Sequence, residues 1–177
     1  MDFDPKKIKL IIGLGNPDTE HKNTYHNAGF LFIDYSEESP LVKSFPPKED
    51  RPTVEKFKVI KSEEYMNNSG KFVVKAAKKA GAKPEEILIA HADSDLEIGK
   101  YKIDFGRGAG GHHGIESVQQ HLKTNDFWRL RIGIRPANET TRQKAEEFVL
   151  KKISSNDKKI LGSVFEEIIL RLNKPQH

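Results

Sequence analysis

The sequence predicts an α/β fold in a single domain, a twisted mixed β-sheet flanked by helices, and three observations carry that prediction. Short apolar runs, Ile8 to Ile12, Phe57 to Ile60 and Ile87 to Ala90, are too brief for helices and read as buried strands. Stretches of helical period separate or follow them. Lys71 to Ala80 puts Phe72, Val73, Ala76, Ala77 and Ala80 on one side, and Asp157 to Leu172 aligns Leu161, Phe165, Ile168 and Leu172. Two more segments, Tyr101 to Phe105 and Leu130 to Ile134, alternate with period two, which predicts half-buried strands and a sheet that is not wholly parallel.

Each element has a local reason. Gly13 and Gly15 end the first strand in a sharp turn, so Asn16 and Pro17 stand past its carboxyl end, where open α/β sheets bind ligands. Thr24-Tyr25-His26-Asn27 then sets an imidazole at the mouth of a loop, a candidate base, and Gly29 to Tyr35 predicts a short apolar helix. From about residue 36 to 55, Pro40, Pro46, Pro47 and Pro52 remove backbone donors and predict a surface loop. Gly81 stops the Lys71 helix, and the Ile87 strand delivers His91-Ala92-Asp93-Ser94-Asp95 to the sheet edge. Gly106 to Gly114 is the most glycine-dense segment and ends at the start of a helix, Ile115 to Leu122, whose free N–H groups favour anions. Pro136 closes the Leu130 strand, and helices over about Arg142 to Ile153 and Asp157 to Leu172, the second capped by Asp157, complete the domain.

Composition narrows the chemistry. The 177 residues fit one domain over 1–177, and 32% charged residues put much of the chain at a solvated surface. With no cysteine, disulfides, thiolate metal sites and a Cys nucleophile are excluded. No apolar run is long enough to span a bilayer, and Met1-Asp2-Phe3-Asp4-Pro5 has no cleavable apolar core, so a cytoplasmic protein without a membrane partner is expected. The net charge of +4 is compatible with a polyanionic partner.

Two rival motifs fail on their residues. Gly13-x-Gly15-x-x-Asp18 imitates a dinucleotide fingerprint, but the third glycine is an aspartate whose carboxylate would face the pyrophosphate, and Pro17 stiffens the turn. His26, His91, Asp93, Asp95, His112 and His113 could supply metal ligands, yet no pair has the i, i+4 spacing of zinc proteases, so neither metal nor other cofactor is expected.

Gly13-Leu14-Gly15-Asn16-Pro17, Thr24-Tyr25-His26-Asn27-Ala28-Gly29-Phe30, Tyr65-Met66-Asn67-Asn68-Ser69-Gly70, Gly110-Gly111-His112-His113-Gly114 and Asp126 to Ile134, taken in order, resemble the successive motifs of bacterial-type peptidyl-tRNA hydrolase. The resemblance runs from about Ile8 to Phe148. It implies hydrolysis of the ester between a peptide and the 3′ ribose of tRNA, with the acceptor end and 3′ CCA as the bound partner and a monomeric enzyme. By this resemblance His26 is the base that deprotonates water, and Asn16 and Asn67 hold the substrate, the water or the oxyanion. Met66 lines the peptide crevice, with His112, His113, Tyr25 and Asp93 as further substrate-facing residues. Lys102 and Arg131 match positions that face tRNA phosphates, contacts that fix position without reading sequence.

The chain also departs from that pattern. The acid that orients the histidine is replaced by Ala92, the asparagine after Gly-Gly-His by His113, the arginine before the base by Tyr25, and a basic residue before the glycines by Asp104. Asp18 and His21 stand where the family has Gly and Tyr. Either Asp93 or His113 fills the polar role lost at Ala92, or the chain is an impaired homologue that binds RNA without cutting it. The retained His26, Asn16 and Asn67 favour the hydrolase.

Overall fold

Strands that are apolar along their whole length must be covered on both faces, and the computed structural model, which describes residues 2–39, 57–137 and 144–173, covers them with helices on either side of one sheet. In chain order the elements are β1 (Leu10–Gly13), α1 (Ala28–Glu38), β2 (Lys58–Lys61), α2 (Ser69–Ala80), β3 (Ile87–Glu97), β4 (Tyr101–Phe105), α3 (His113–Leu122), β5 (Trp128–Arg135), α4 (Ala145–Phe148) and α5 (Ser155–Asn173). The sheet order is β2-β1-β3-β5-β4. The first four strands run parallel, and β4 closes the edge antiparallel to β5, so the sheet is mixed.

Alternation along the strands divides the core in two. Ile11, Leu88, Leu130 and Ile132 pack with Phe32 of α1 and with Leu161, Phe165 and Ile168 of α5. Leu10, Ile12, Ile87 and Ile89 pack with Val73 and Ala77 of α2 and with Ile115 and Val118 of α3. Gly81 ends α2 with φ at 60°, a left-handed cap that glycine adopts without steric cost. At Gly29 the demand is proximity: a Cβ would lie 2.4 Å from the Ala90 carbonyl oxygen and 2.6 Å from that of Leu14. The start of α1 therefore rests directly on the carboxyl edge of β1 and β3, which brings His26 and Asn27 to the rim of the sheet.

Several expectations are corrected. The strand expected to end at Ala90 continues to Glu97, because β5 runs beside it and pairs Asp93 with Gly133 and Glu97 with Arg135. Strand β5 alternates in sequence but is buried from Trp128 to Ile134; its two arginines are buried with the rest. Helix α1 extends to Glu38, with the Ser36 hydroxyl donating to the Ile33 carbonyl, so the expected loop from residue 36 begins later, and its part from 40 to 56 lies outside the described residues. The helix expected over Arg142 to Ile153 is reduced to Ala145–Phe148; residues 142–143 are outside the described residues, and the backbone of 149–153 is hydrogen bonded to another loop. Asp157 is not the cap of α5. Ser154 Oγ accepts from the Asp157 N–H, and Asp157 lies in the first turn.

Candidate active site

A loop that leaves a buried strand must satisfy its backbone polar groups, and here one side chain does most of it. Asn27, 1% exposed, accepts the Asn16 N–H with Oδ1 and donates Nδ2 to the Asn16 carbonyl, both at 2.9 Å. Asn16 Oδ1 in turn accepts the Met66 N–H at 3.0 Å, and this bond orients the amide with Nδ2 as its remaining donor. A second set of bonds seats the histidine loop. His26 N–H donates to the Val149 carbonyl at 2.7 Å, Tyr25 N–H to Lys151 and Ile153 N–H to Asn23, while the Tyr25 hydroxyl donates to Asp157 at 2.5 Å. Burial and that carboxylate raise the Tyr25 pKa. Lys152 Nζ adds a bond to the Glu20 carbonyl.

These loops open on a cavity of about 520 Å³ at the carboxyl edge of the sheet, lined among others by Asn16, His26, Asn67, Ala92, His112 and Arg129. The expected base and both asparagines thus share one cavity, and Met66, Asp93 and His113 also line it. Asn16 is held at backbone and side chain, whereas Asn67 is exposed on the rim.

Three imidazoles stand in a row. His26 stacks on His112 with centroids 5.6 Å apart and planes 30° apart, and His91 meets His112 edge-on at 4.6 Å. Burial lowers the His26 pKa to about 4, with His21 and His113 adding to the effect, so the ring is neutral and its lone pair available near pH 7. Burial lowers His91 to about 3 and holds His112 well below the ordinary imidazole value. The tautomers follow from their partners. His112 Nδ1 accepts the Ile115 N–H, which leaves the proton on Nε2; His91 Nδ1 faces the Ala92 carbonyl and must donate, which leaves Nε2 bare. Among the described residues no three His, Asp or Glu side chains form a set able to hold a metal ion.

Both candidates for the role lost at Ala92 have other partners. Asp93 Oδ2 accepts Arg131 Nε at 2.6 Å, and Arg131 Nη1 also donates to Asp104 at 2.8 Å. His113 is largely exposed and pairs with Glu116. Ala92 itself lines the cavity at 2% exposure, and no described residue hydrogen bonds to the His26 ring.

Of the remaining expected residues, Arg131 lines the cavity, whereas Tyr25 and Lys102 do not. Tyr25 is not among the residues lining the cavity; its hydroxyl ties the histidine loop to α5. The Arg131 side chain is 5% exposed and paired with two carboxylates, Asp93 and Asp104, while Lys102, its neighbour in register on β4, is exposed and lies outside the cavity. Sequence reasoning missed Asn27, the clasp of 149–153 and the cavity-lining Arg107 and Arg129. For the last, the signal was the period of β5 itself, which puts residue 129 on the same face as residue 131.

Fold and cavity together define a class: an α/β protein with a neutral, buried imidazole beside a fixed carboxamide, suited to activating water for attack on a carbonyl. The chain belongs to the peptidyl-tRNA hydrolase family, whose model matches residues 10–174. It is 37% identical over 166 residues to a peptidyl-tRNA hydrolase of Lactobacillus johnsonii, covering 90% of this chain and 88% of the relative. It is 36% identical to one of Chlamydia muridarum, covering 90% and 93%. A crystal structure of a point mutant of the Acinetobacter baumannii peptidyl-tRNA hydrolase superposes with a TM-score of 0.76 at 31% identity, covering 94% of this chain and 87% of that one.

Proposed function

We propose that this protein hydrolyses the ester joining a peptide to the 3′ ribose of tRNA, with His26 as general base. The observation that carries the reading is the shared cavity in which His26 meets Asn16 and Asn67, in a chain of the peptidyl-tRNA hydrolase family.

The uncharged His26 ring takes a proton from water, and the resulting hydroxide attacks the peptide's terminal carbonyl carbon. As the tetrahedral intermediate forms, Asn16 Nδ2, oriented in advance by the Met66 N–H, donates to the developing oxyanion. Asn67 on the rim holds the peptide backbone, and Met66 supplies apolar wall. Collapse breaks the carbon–oxygen bond to the ribose, the imidazolium returns its proton to the leaving ribose oxygen, and the peptide acid loses its proton to solvent as the peptide and tRNA separate. No step draws on a metal. Lys102, exposed beyond the cavity, contacts the acceptor-stem phosphates, and the 3′ CCA end enters the cavity. Every group invoked belongs to one chain, as a monomer requires, and a chain without cysteine suits the reducing cytoplasm.

The test uses purified protein, peptidyl-tRNA and a His26→Ala variant, with and without EDTA. Metal-independent release that disappears in the variant supports the reading. Salt-sensitive tRNA binding without release, or release abolished by EDTA, ends it.

A further inference from the structure

Strand β5 sends two arginines, Arg129 and Arg131, to one face of the sheet, and their surroundings differ in kind. Arg131 is balanced by Asp93 and Asp104. Arg129 is 2% exposed and forms no ion pair among the described residues. Its Nη1 donates to the Gly108 carbonyl at 2.9 Å, and its buried Nε finds no acceptor. The carboxylates whose charge acts on it, Asp93 and Asp104, are already engaged by Arg131, while Arg131 and Arg107 add positive charge. Burial, and after it Arg131, pulls the Arg129 pKa down to about 10. Arg107 is exposed on the same cavity wall and is likewise without an ion pair among the described residues.

A buried cation whose neighbouring carboxylates are engaged by another arginine is costly to keep, and a guanidinium fork in a cavity wall matches the oxygens of a phosphate. Resting on the reading of the substrate as peptidyl-tRNA, the choice of anion follows from covalent structure. The ribose that bears the scissile ester carries, on its 5′ oxygen, the last phosphate of the RNA backbone. That phosphate stands at a set distance from the ester whatever the peptide. We infer that Arg129, with Arg107 at the rim, forms a subsite for this terminal phosphate, on the cavity wall formed by β5 and the glycine-rich loop. Arg131, closed by its two carboxylates, leaves this role to its neighbour.

The probes are adenosine and adenosine 5′-monophosphate as competing ligands, and the 3′-peptidyl esters of each as substrates. Adenosine 5′-monophosphate should compete about tenfold better than adenosine, and the phosphorylated ester should show a similarly higher kcat/KM, the scale of one charged hydrogen-bonded contact. In Arg129→Gln that ratio falls toward one; Arg129→Lys keeps part of it, and Arg107→Ala lowers it less. Equal competition by the two ligands in the unaltered protein overturns the inference, whether or not the buried variant folds. So does an unchanged ratio in a folded Arg129→Gln. Failure to cleave peptidyl-tRNA as well as both esters would instead remove the proposed function, and the ligand competition would still decide the phosphate subsite.

Discussion

The two sides of the cavity are built by opposite means. On the His26 side, hydrogen bonds to the backbone predominate: Asn27 brackets Asn16, Met66 fixes the Asn16 amide, and the 149–153 segment holds the histidine loop, while the imidazole itself has no hydrogen-bond partner among the described residues. On the β5 side, side-chain charges hold one another, with Arg131 between Asp93 and Asp104 and Arg129 left over. Preorganisation is therefore uneven. One wall fixes where His26 and Asn16 sit, and the other concentrates charged side chains around the same cavity.

The strongest way to break that contrast is at the base. His26→Ala should lower kcat by roughly 10²–10⁴-fold, the range of a general base, with the fold intact by circular dichroism. A smaller loss would mean that His26 is not where the proton goes. Asn16→Ala should cost about 10²-fold in kcat and Asn67→Ala clearly less, since only the former donor is locked before substrate arrives. The reverse order would show that the rim amide, ordered by substrate, does the stabilising.

Acid sharpens the comparison further. Because burial lowers the His26 pKa to about 4, the acid limb of kcat/KM should fall near pH 4 instead of near the ordinary 6.5. The same depression couples to stability. Both states are neutral above pH 6.5, but between 6.5 and 4 the unfolded chain binds the proton that folded His26 refuses. Stability is thus fully present above 6.5 and declines as the pH drops, by roughly 3 kcal/mol from this residue alone, with buried His91 acting in the same direction. Urea titrations from pH 7 to pH 4 measure it.

Supplying the missing partner is a gentler change. Ala92→Asp should raise kcat about tenfold and move the acid limb upward, because a carboxylate fixes the tautomer and stabilises imidazolium. An unchanged rate in the folded variant would mean that the His26–His112 stack already orients the ring. The smallest effect expected is at the exposed edge: Lys102→Ala should weaken tRNA binding a few-fold and reduce the salt slope by about one, read from binding isotherms at several salt concentrations.

Much of this was legible in the residues. The Ile8 run and Gly13-x-Gly15 announced β1 and its turn, Leu161, Phe165, Ile168 and Leu172 announced the buried stripe of α5, and the period-two segment at Tyr101 announced the antiparallel edge. The loops bearing Asn16, His26 and Asn67 were brought to one edge as their strand ends implied. What stayed hidden depends on pairing across the sheet. No spacing within Leu130-Arg131-Ile132 shows that Arg131 will lie beside His91 in register and take up Asp93 and Asp104; that follows only once β3, β5 and β4 are side by side. Nor does the polar pattern after Ala145 reveal that helical bonds will be given up for bonds to the histidine loop.

That late segment has a temporal meaning. The seat of the base is made by residues up to Asp157, 132 positions after Tyr25. All five strands end before that segment begins, so the sheet is encoded complete while the histidine loop still lacks these partners. The loop bearing His26 thus has its full set of backbone partners only when residues 149–157 are in place, which ties the geometry of one cavity wall to the part of the chain made late.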